Sequence, residues 1–481
     1  MKVLLINPTW KSVYGNFVAA AEVAVLHPPL GLCYLASALE KHGHEVKIID
    51  SEAIDSMEEL DNIIKSWNPQ LIGFTCTLPQ INETIRLAQH IKNISNAVLA
   101  IGGPHITVLN RDPFIKSSIF DYGVIGEGEE TFPELVNAIE QNKEIRDIRG
   151  IIYKNKAGEI VKTEPRSINN YLDKLPFPNR KLLDLDRYRM SVVGKGLVRI
   201  STIMSTRGCP FKCLYCPETA LFPSFRVRSK ENVCDEIEEC TALGIKHFYF
   251  VDLTMTANKK VVAELCNEII RRNIRITWEC HTRVDCVDKD ILSLMKKAGL
   301  VRVSYGVETG DEEILKKINK EVSFQQIKDA FRISKGLGLE TRASAIIGHP
   351  GETKKTVMKT LRFMRRLKNC DQLYLYINVP YPGTPLYEMA KKGENGLKLI
   401  SEDYSKYIRY STPVIEVNNL KRKDIINYQR LGFLIFYFTP RRIWYNLTRA
   451  GLKAGIRNSI AFFNSVVLGR KKKSGVFQSR A

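Results

Sequence analysis

The chain has 481 residues, 44% of them hydrophobic, and a formal net charge of +20 at pH 7. This length and composition predict a large enzyme with two or three buried cores. Eleven cysteines spread thinly along the chain exclude a disulfide-stabilised secreted protein, and the first residues are expected to form a β-strand instead of an export signal. No stretch reaches the roughly 20 uninterrupted apolar residues of a membrane-spanning helix. We therefore expect a cytoplasmic protein.

The first 145 residues alternate between short β-branched runs and helical stretches. This alternation predicts a Rossmann-like, doubly wound parallel sheet, in which ligands bind outside the carboxyl ends of the strands. The predicted strands are Val3 to Ile6, Glu45 to Ile49, Leu71 to Thr75, Val98 to Ile101 and Tyr122 to Ile125. The loops at that edge are Asn7 to Trp10, Cys76 to Pro79, Gly102 to Thr107 and Gly126 to Glu130. Residues 1–145 are thus predicted to be a ligand-binding domain.

Residues 146–195 are predicted to be a connector. Gly150 to Lys154 and Glu159 to Lys162 flank Asn155 to Gly158, a pattern typical of a β-hairpin. Leu175 to Arg180 is predicted to be extended, because residues that precede proline avoid the helical region.

Three cysteines, Cys209, Cys213 and Cys216, lie in a loop that follows the strand-like run Val198 to Met204. A [4Fe-4S] cluster that only carries electrons takes four thiolates, so a set of three leaves one iron open for chemistry. A structural zinc site is the alternative, but it closes with four ligands, and no His or Cys supplies a fourth within this loop. The later cysteines are interpreted as buried apolar groups, namely Cys234, Cys240, Cys266, Cys280 and Cys286.

The spacing Cys-x3-Cys-x2-Cys, with the aromatic Tyr215 directly before the last cysteine, resembles the cluster motif of the radical S-adenosylmethionine (radical SAM) superfamily. The resemblance implies that Cys209, Cys213 and Cys216 hold a [4Fe-4S] cluster whose open iron binds SAM. It also implies that one electron splits SAM to give a 5′-deoxyadenosyl radical, and that a flavodoxin or ferredoxin delivers the electron.

Residues 196–395 resume the alternation of strands and helices with longer units. Six such units predict a partial (β/α)6 barrel of the TIM type, the fold that the radical SAM resemblance also implies. The predicted strands are Ile200 to Met204, His247 to Val251, Thr277 to Cys280, Arg302 to Gly306, Thr341 to Ile347 and Gln372 to Val379. Because chemistry in parallel barrels takes place at the carboxyl ends of the strands, the residues at those ends are site candidates.

Residues at four strand ends match the radical SAM pattern. The resemblance implies that Asp252 receives the SAM amino group and that Glu308 lies near the SAM methionine or ribose. It implies that Arg283 meets the SAM carboxylate, a pairing that suits a planar bidentate donor, although a salt bridge at the barrel rim is an equally good interpretation. Gly348 is expected beside the adenine, and the family's acid in this loop is displaced by one position to Glu352.

Three loop segments resemble those of the cobalamin-binding domain that precedes many radical SAM enzymes. They are His27 to Gly31, Ile101 to His105 and Gly126 to Thr131. The resemblance implies a set of cofactor-binding residues: Thr75, Thr77, Gly102, Gly103, His105, Gly126 and Gly128. The Asp-x-His-x-x-Gly element, whose His ligates cobalt in methionine-synthase-type domains, is absent. A lone loop His, such as His105 or His27, is more often a hydrogen-bonded structural residue than a ligand. We therefore expect cobalamin to bind without a protein imidazole on the metal.

Residues 396–481 are predicted to form a helical, basic C-terminal region. No acidic residue follows Asp424, whereas eleven Lys and Arg residues do. Such runs are typical of contact with nucleic acid or an anionic membrane surface. The apolar stripe from Leu452 to Val467 favours a peripheral helix at the inner membrane face, with a helical cap over the barrel mouth as the alternative. We expect no nucleic-acid partner, because the tRNA methylthiotransferases need three further cysteines in the N-terminal domain, where only Cys33 and Cys76 are available.

These patterns and resemblances lead to the hypothesis of a cobalamin-dependent radical SAM enzyme that methylates an unactivated carbon. Its substrate is expected to be a small, hydrophobic molecule such as a polyprenoid lipid or a tetrapyrrole. One alternative is a radical cyclase or oxidative tailoring enzyme of the anaerobic magnesium-protoporphyrin ester cyclase type. An alternative of another class is a cobalamin or redox sensor whose cluster never cleaves SAM.

Overall fold

The structure is a computed structural model that describes residues 1–10, 13, 26–192, 196–410 and 412–448. These residues form two compact units, the first ending at Arg187 and the second beginning at Tyr188, with residues 26 and 27 belonging to the second. The predicted peripheral helix from Leu452 to Val467 lies outside the described residues.

The first unit contains a seven-stranded sheet flanked by helices. Its strands are β1 (Lys2–Asn7), β2 (Glu45–Asp50), β3 (Leu71–Thr75), β4 (Val98–Gly102), β5 (Tyr122–Val124), β6 (Ile151–Lys154) and β7 (Ile160–Lys162). Its helices are α1 (Leu30–Lys41), α2 (Met57–Trp67), α3 (Ile81–Lys92), α4 (Pro104–Val108), α5 (Asp112–Lys116) and α6 (Gly128–Glu140). The strand order is β2-β1-β3-β4-β5-β6-β7.

The first five strands of this sheet pair in parallel, which confirms the predicted doubly wound sheet. The run Val3 to Ile6 is buried throughout, as expected of a parallel strand that is covered on both faces. The predicted hairpin also forms, and it pairs antiparallel with β5 to extend the sheet by β6 and β7. Hairpin propensity predicted the turn but contained no information about which edge the hairpin would join.

The second unit contains a curved seven-stranded sheet. Its strands are β8 (Arg189–Val192), β9 (Gly196–Ile203), β12 (His247–Phe250), β13 (Thr277–Thr282), β14 (Leu300–Glu308), β15 (Glu340–Ile347) and β16 (Gln372–Ile377). Two short antiparallel hairpins lie outside this sheet. They are formed by β10 (Thr206–Arg207) with β11 (Arg226–Val227), and by β17 (Leu397–Leu399) with β18 (Ile415–Val417). Its helices are α7 (Glu218–Leu221), α8 (Lys230–Ala242), α9 (Lys259–Arg271), α10 (Lys289–Lys297), α11 (Glu312–Lys317), α12 (Phe324–Gly336), α13 (Lys354–Arg366), α14 (Pro385–Lys392), α15 (Arg422–Tyr437) and α16 (Pro440–Thr448).

Six strands of this sheet, β9 and β12 to β16, pair in parallel, and β8 adds an antiparallel edge. This arrangement confirms the partial (β/α)6 barrel. Parallel strands all end at one edge, so the loops after β9 and β12 to β16 share the carboxyl edge, where the predicted site residues lie.

The two faces of the curved sheet differ in polarity. One face is apolar and packs under helices; Tyr305, for example, contacts Phe331 of α12 through its ring and Ser334 through its hydroxyl. The opposite face, which we call the polar face, carries His247, Tyr249, Glu279, His281, Arg302, Ser304, Arg342, Ser344, Tyr374 and Tyr376. The interior of this barrel is therefore lined by polar side chains.

The predicted helical C-terminal region is only partly helical. The hairpin β17–β18 precedes α15 and α16, and its residues Leu397, Ile415 and Val417 share a buried cluster with Leu386 of α14. Strands of three residues are too short for a period-two pattern to stand out from the surrounding sequence. Among the described helices, none combines the length and the apolar character needed to cross a membrane.

Candidate cluster and cofactor sites

The three cysteines of the predicted cluster motif lie in a loop that is closed by a short hairpin at the carboxyl edge of the barrel. Antiparallel pairing of β10 with β11 joins the two ends of this loop. Gly208 has a φ of +85°, and a Cβ at this position would collide with the backbone oxygen of Ser224. Only glycine fits both the backbone conformation and the close approach, so the chain reaches Cys209 in a fixed direction.

Cys209, Cys213 and Cys216 are partly exposed, whereas the other eight cysteines are buried. The interpretation of the later cysteines as buried apolar groups is therefore confirmed. Among the residues that the structure describes, no three His, Cys, Asp or Glu side chains converge on a site for a single metal ion. A cubane cluster binds each thiolate at a different iron, so the three accessible thiols are a donor set that fits it.

Positive charge lies close to one of the three thiols. Arg283 Nη1 is 3.7 Å from Cys213 Sγ. Burial raises the pKa of Cys213, and the cations of Lys320 and Arg283 act in the opposite direction. Cys209 Sγ lies 3.4 Å from Thr254 Oγ1. The two cations favour the thiolate form of Cys213, which a cluster ligand requires, against the effect of burial.

Arg283 is held by the protein on several sides. Its Nε and Nη2 donate to the two carboxylate oxygens of Asp285 at 3.0 and 2.9 Å, and Nη2 also donates to the backbone oxygen of Lys320 at 2.8 Å. Its guanidinium lies 4.0 Å from the ring centre of Phe211, a residue of the cysteine loop. The rim salt bridge considered for this arginine is present, and the side chain positions the loop. Contact with the SAM carboxylate stays a prediction.

Asp252 follows β12 and is buried against the first residues of the cysteine loop. Its carboxylate accepts hydrogen bonds from the Ser205 backbone N–H at 3.1 Å and from the hydroxyls of Ser205 and Thr206, each at 2.6 Å. Burial raises the pKa of Asp252, and these donors counteract the effect. In this structure Asp252 anchors the loop, and its role toward the SAM amino group stays a prediction.

Glu308 ends β14 in an unusual backbone conformation. Its φ is +67°, and the strand register shifts between Gly306 and Glu308, as in a β-bulge. The buried Lys320 Nζ lies 3.2 Å from Glu308 Oε1. Gly306 leaves room for this pair, because a Cβ there would meet both Glu308 Oε1 and Lys320 Nζ. Sequence reasoning missed Lys320, since a lysine in a loop after a helix gives no signal of its position.

Tyr215 connects the cysteine loop to two other strand ends. Its pKa is raised well above the ordinary value by burial and then by the negative charge of Glu308. The Tyr215 ring lies 5.6 Å from that of His349, in the loop after β15. Burial lowers the pKa of His349 to about 3, so its ring is neutral at physiological pH.

The loop after β15 is stabilised from within. Gly348 adopts a φ of +101°, and Glu352 Oε2 accepts hydrogen bonds from the backbone of Gly348 at 2.6 Å and of His349 at 3.2 Å. Burial raises the pKa of Glu352 to about 8. The displaced acid therefore acts as a cap of its own loop. Asn378 donates to the Gly348 backbone oxygen at 3.1 Å and holds the loop against the end of β16.

In the first unit, the glycine loops lie together at the carboxyl ends of β3, β4 and β5. Gly103 has φ +93° and ψ −170°, and a Cβ there would lie 2.8 Å from Thr75 Oγ1. The Gly126 backbone N–H donates to Thr107 Oγ1 at 3.0 Å, which ties the third loop to the second. No described atom lies within 4 Å of a Cβ built on Gly126, so there is free space beside this glycine among the described residues.

The other cofactor candidates of this unit lie at or next to the carboxyl ends of the same strands. Gly102 ends β4, and Thr77 caps the turn after β3 through its hydroxyl bond to Gln80 Oε1 at 2.7 Å. A Cβ on Gly128 would lie 2.9 Å from a methyl group of Leu35 in α1. The helix α6 therefore packs closely on α1, and the Gly126 to Gly128 turn is fixed against the sheet.

The two histidines considered for this domain differ in their surroundings. His105 is fully buried, and its Nε2 lies 2.8 Å from Asp112 Oδ2. Burial lowers its pKa, and the interaction with Asp112 acts in the opposite direction. His27 belongs to the second unit, where its ring centre lies 5.1 Å from that of Tyr249. His105 is thus hydrogen-bonded inside the domain, and His27 lies in a different unit from the glycine loops.

Comparisons with known proteins agree with the description of both the cysteine-loop barrel and the N-terminal sheet domain. A model of the radical SAM superfamily matches residues 203–364, and a model of the B12 binding domain matches residues 17–136. A protein of Pyrococcus horikoshii described as an uncharacterized methyltransferase is 34% identical over 92% of this chain and 93% of its own length. The anaerobic magnesium-protoporphyrin IX monomethyl ester cyclase of Rubrivivax gelatinosus is 30% identical over 95% of this chain and 83% of its own length.

Among solved structures, the radical SAM methyltransferase TsrM from Kitasatospora setae, with cobalamin and a [4Fe-4S] cluster bound, has a TM-score of 0.70 and 20% identity, covering 92% of this chain and 89% of its own. The predicted cofactor set of cluster, SAM and cobalamin is confirmed at the level of the family. The chain belongs to the radical SAM enzymes that carry an N-terminal B12-binding domain.

Proposed function

We propose that this enzyme is a cobalamin-dependent methyltransferase that acts on an unactivated carbon of a small molecule. The observation that carries the proposal is the loop of three partly exposed thiols at the carboxyl edge of the barrel, next to the buried Glu308–Lys320 pair. The identity of 34% with the Pyrococcus horikoshii protein described as an uncharacterized methyltransferase, over nearly the full length of both chains, supports methyl transfer.

The side chains around the loop have separate tasks in this proposal. When bound, the cluster supplies the electron that splits SAM into methionine and a 5′-deoxyadenosyl radical. Cys209, Cys213 and Cys216 hold it, and Arg283 keeps positive charge at Cys213. Asp252 fixes the start of the loop. We assign Glu308 to the SAM methionine or ribose, since its bulged backbone turns it toward Tyr215 and the cysteine loop.

The glycine loops of the first unit are the proposed cobalamin site, and cobalamin supplies the methyl carrier when bound there. The free space beside Gly126 and the fixed turn at Gly103 support this assignment. We propose that no protein imidazole binds the cobalt, because His105 is buried and hydrogen-bonded to Asp112. Nitrogen coupling from a labelled imidazole in the electron paramagnetic resonance of the cobalamin-loaded protein would contradict this.

A second candidate function is radical cyclisation. It is favoured by the identity of 30% with the Rubrivivax gelatinosus cyclase over 95% of this chain. The two functions consume SAM differently, because a methyltransferase needs one SAM as a methyl donor and another as the radical source, whereas a cyclase needs only the radical.

The coproducts of SAM therefore test the proposal. Reduced protein loaded with iron and cobalamin should form both 5′-deoxyadenosine and S-adenosylhomocysteine from SAM, measured by liquid chromatography. A Cys213→Ala variant should form no 5′-deoxyadenosine, because SAM cleavage requires the cluster. Production of 5′-deoxyadenosine alone would favour the cyclase. Absence of 5′-deoxyadenosine from the wild type would instead favour a sensor.

A further inference from the structure

The polar face of the barrel changes character along the strands. Near the amino ends, Arg302 forms ion pairs with Glu279 and Glu340, and Arg342 Nη1 lies 4.0 Å from Glu279 Oε2. Arg342 also donates from Nε to Gln372 Oε1 at 3.0 Å. Two carboxylates thus neutralise two guanidiniums, and all four side chains are largely buried. This end of the barrel is closed by a satisfied ionic network.

Nearer the carboxyl edge, the polar face is aromatic. The rings of Tyr374 and Tyr376 are 5.9 Å apart, and Tyr410 packs edge-on to Tyr376 at 5.4 Å. Tyr249 on β12 packs edge-on to His281 at 5.6 Å. Aromatic side chains therefore line the polar face both on β12 and on β16.

One arginine at this edge, Arg409, is exposed and forms no ion pair within the described residues, although the charge of the Glu218 carboxylate acts on it. Arg409 is held by its backbone, whose oxygen accepts from the Ile377 N–H at 2.9 Å. Its guanidinium lies 5.5 and 5.7 Å from the ring centres of Tyr376 and Tyr381, and its Nε donates to the Tyr381 hydroxyl at 3.4 Å. Within the described residues Arg409 forms no ion pair, and its terminal Nη1 and Nη2 atoms donate to no protein acceptor.

Arg409 lies on the same side of the barrel as the cysteine loop. Ile377 is the last residue of β16, so Arg409 stands at the carboxyl edge. Tyr381 belongs to the loop that leads into α14. The backbone N–H of Leu386 in α14 donates to the backbone oxygen of Leu214 in the cysteine loop at 3.3 Å, so this loop lies beside the cysteines.

We propose that the barrel binds an anionic substrate with an apolar body, whose carboxylate or phosphate is bound by Arg409 and whose body packs on the rings of Tyr374, Tyr376 and Tyr381. A guanidinium presents paired N–H donors that match both anions, and tyrosine rings contact an apolar body while their hydroxyls stay hydrated. The proposed substrate is therefore amphiphilic, whereas the sequence led us to expect a hydrophobic one. The inference depends on the proposed function only in naming the ligand as the substrate.

The test uses three probes that share one ring system: 1-naphthaleneacetate, 1-naphthyl phosphate and the neutral 1-naphthaleneethanol. Anaerobic equilibrium dialysis of the full chain, loaded with cluster and cobalamin, gives their dissociation constants without any turnover. At least one anion should bind about ten-fold tighter than the alcohol, since charge-assisted bonds are roughly twice as strong as neutral ones. The tighter of the two anions identifies the recognised group as a carboxylate or a phosphate.

Arg409→Gln should remove this preference, so that the anions bind no tighter than the alcohol. Arg332→Gln, on the outer helix α12 in an exposed pair with Asp329, is the matched control and should preserve the preference. A wild type that binds all three probes equally would overturn the proposal, and so would an Arg409→Gln protein that retains the preference.

A second measurement needs no variant and covers the case in which Arg409→Gln fails to fold. Phenylglyoxal modifies accessible guanidiniums, and peptide mass spectrometry reports the modified fraction at each arginine. The better-binding anion should protect Arg409 but leave Arg332 reactive. Equal modification of Arg409 with and without a saturating anion would overturn the proposal. Because neither measurement requires catalysis, a negative result leaves the methyltransferase proposal intact, and failed methyl transfer leaves this one intact.

Discussion

Reconstituted wild-type protein should bind about four irons per chain, and replacing Cys209, Cys213 or Cys216 by Ala should each reduce this to near zero. The expected effect is this large because three thiolates leave no spare ligand, and the other cysteines are buried. Iron and sulfide assays after anaerobic reconstitution, together with the visible absorption of the cluster, measure the outcome.

Cys234→Ala is the matched control for the cluster variants. Cys234 is the next cysteine along the chain and is fully buried in α8. Its loss should leave the iron content unchanged and cost stability, because the substitution removes buried volume. Loss of the cluster from this variant would mean ligation by four cysteines, which would exclude an open iron for SAM.

Gly103→Ala should abolish cobalamin binding while leaving the cluster in place. The backbone of Gly103, with φ +93° and ψ −170°, lies in a region that is essentially restricted to glycine, so the substitution costs about 1–3 kcal/mol in strain. The new Cβ would also lie within 3.0 Å of the Cys76 backbone and 2.8 Å of Thr75 Oγ1. Both effects displace the loop between β4 and α4. Cobalamin retained after gel filtration measures the result.

Gly158→Ala is the control for Gly103→Ala, because it strains the backbone at a glycine outside the proposed cobalamin site. Gly158 also has a positive φ, +81°, but no described atom lies within 4 Å of a Cβ built there. It lies in the turn of the β6–β7 hairpin, so its variant should bind a full equivalent of cobalamin. Full cobalamin binding by Gly103→Ala would remove the glycine loop from the cofactor site, and loss of iron from the same variant would indicate general unfolding.

Local sequence patterns predicted the elements that carry strong periodicity. The parallel strands of both units have buried apolar runs, such as Val3 to Ile6, and these runs separate clearly from the helices between them. The three-residue strands β17 and β18 were missed, because their pairing depends on the buried cluster with Leu386 and not on their own composition. Their absence from the prediction made the C-terminal region look entirely helical.

The cysteine loop was evident from spacing alone, but the groups that surround it were not. Lys320 reaches Glu308 through the path of the chain after α11, and Gly306 makes room for the pair through a packing requirement that leaves no pattern in the chain. Asp252 was correctly placed at a strand end, yet its bonds to Ser205 and Thr206 depend on the path of the loop. Contacts between distant segments are tertiary information that local patterns do not contain.

Arg409 illustrates the same limit for the substrate. Basic and aromatic residues in the C-terminal region favoured a hydrophobic ligand when only the sequence was considered. The structure brings Arg409 between Tyr376 and Tyr381, next to a polar barrel face, and these neighbours come from separate segments. Their proximity converts a surface arginine into a candidate anion site.

The most direct test of the central claim is to follow the methyl group of SAM. Reduced, fully loaded enzyme is incubated with methyl-deuterated SAM and a small-molecule extract, and products are analysed by mass spectrometry. We expect a product that carries one deuterated methyl group and forms in step with both 5′-deoxyadenosine and S-adenosylhomocysteine. A product without label, formed together with 5′-deoxyadenosine and without S-adenosylhomocysteine above background, would contradict methyl transfer and establish the cyclase alternative.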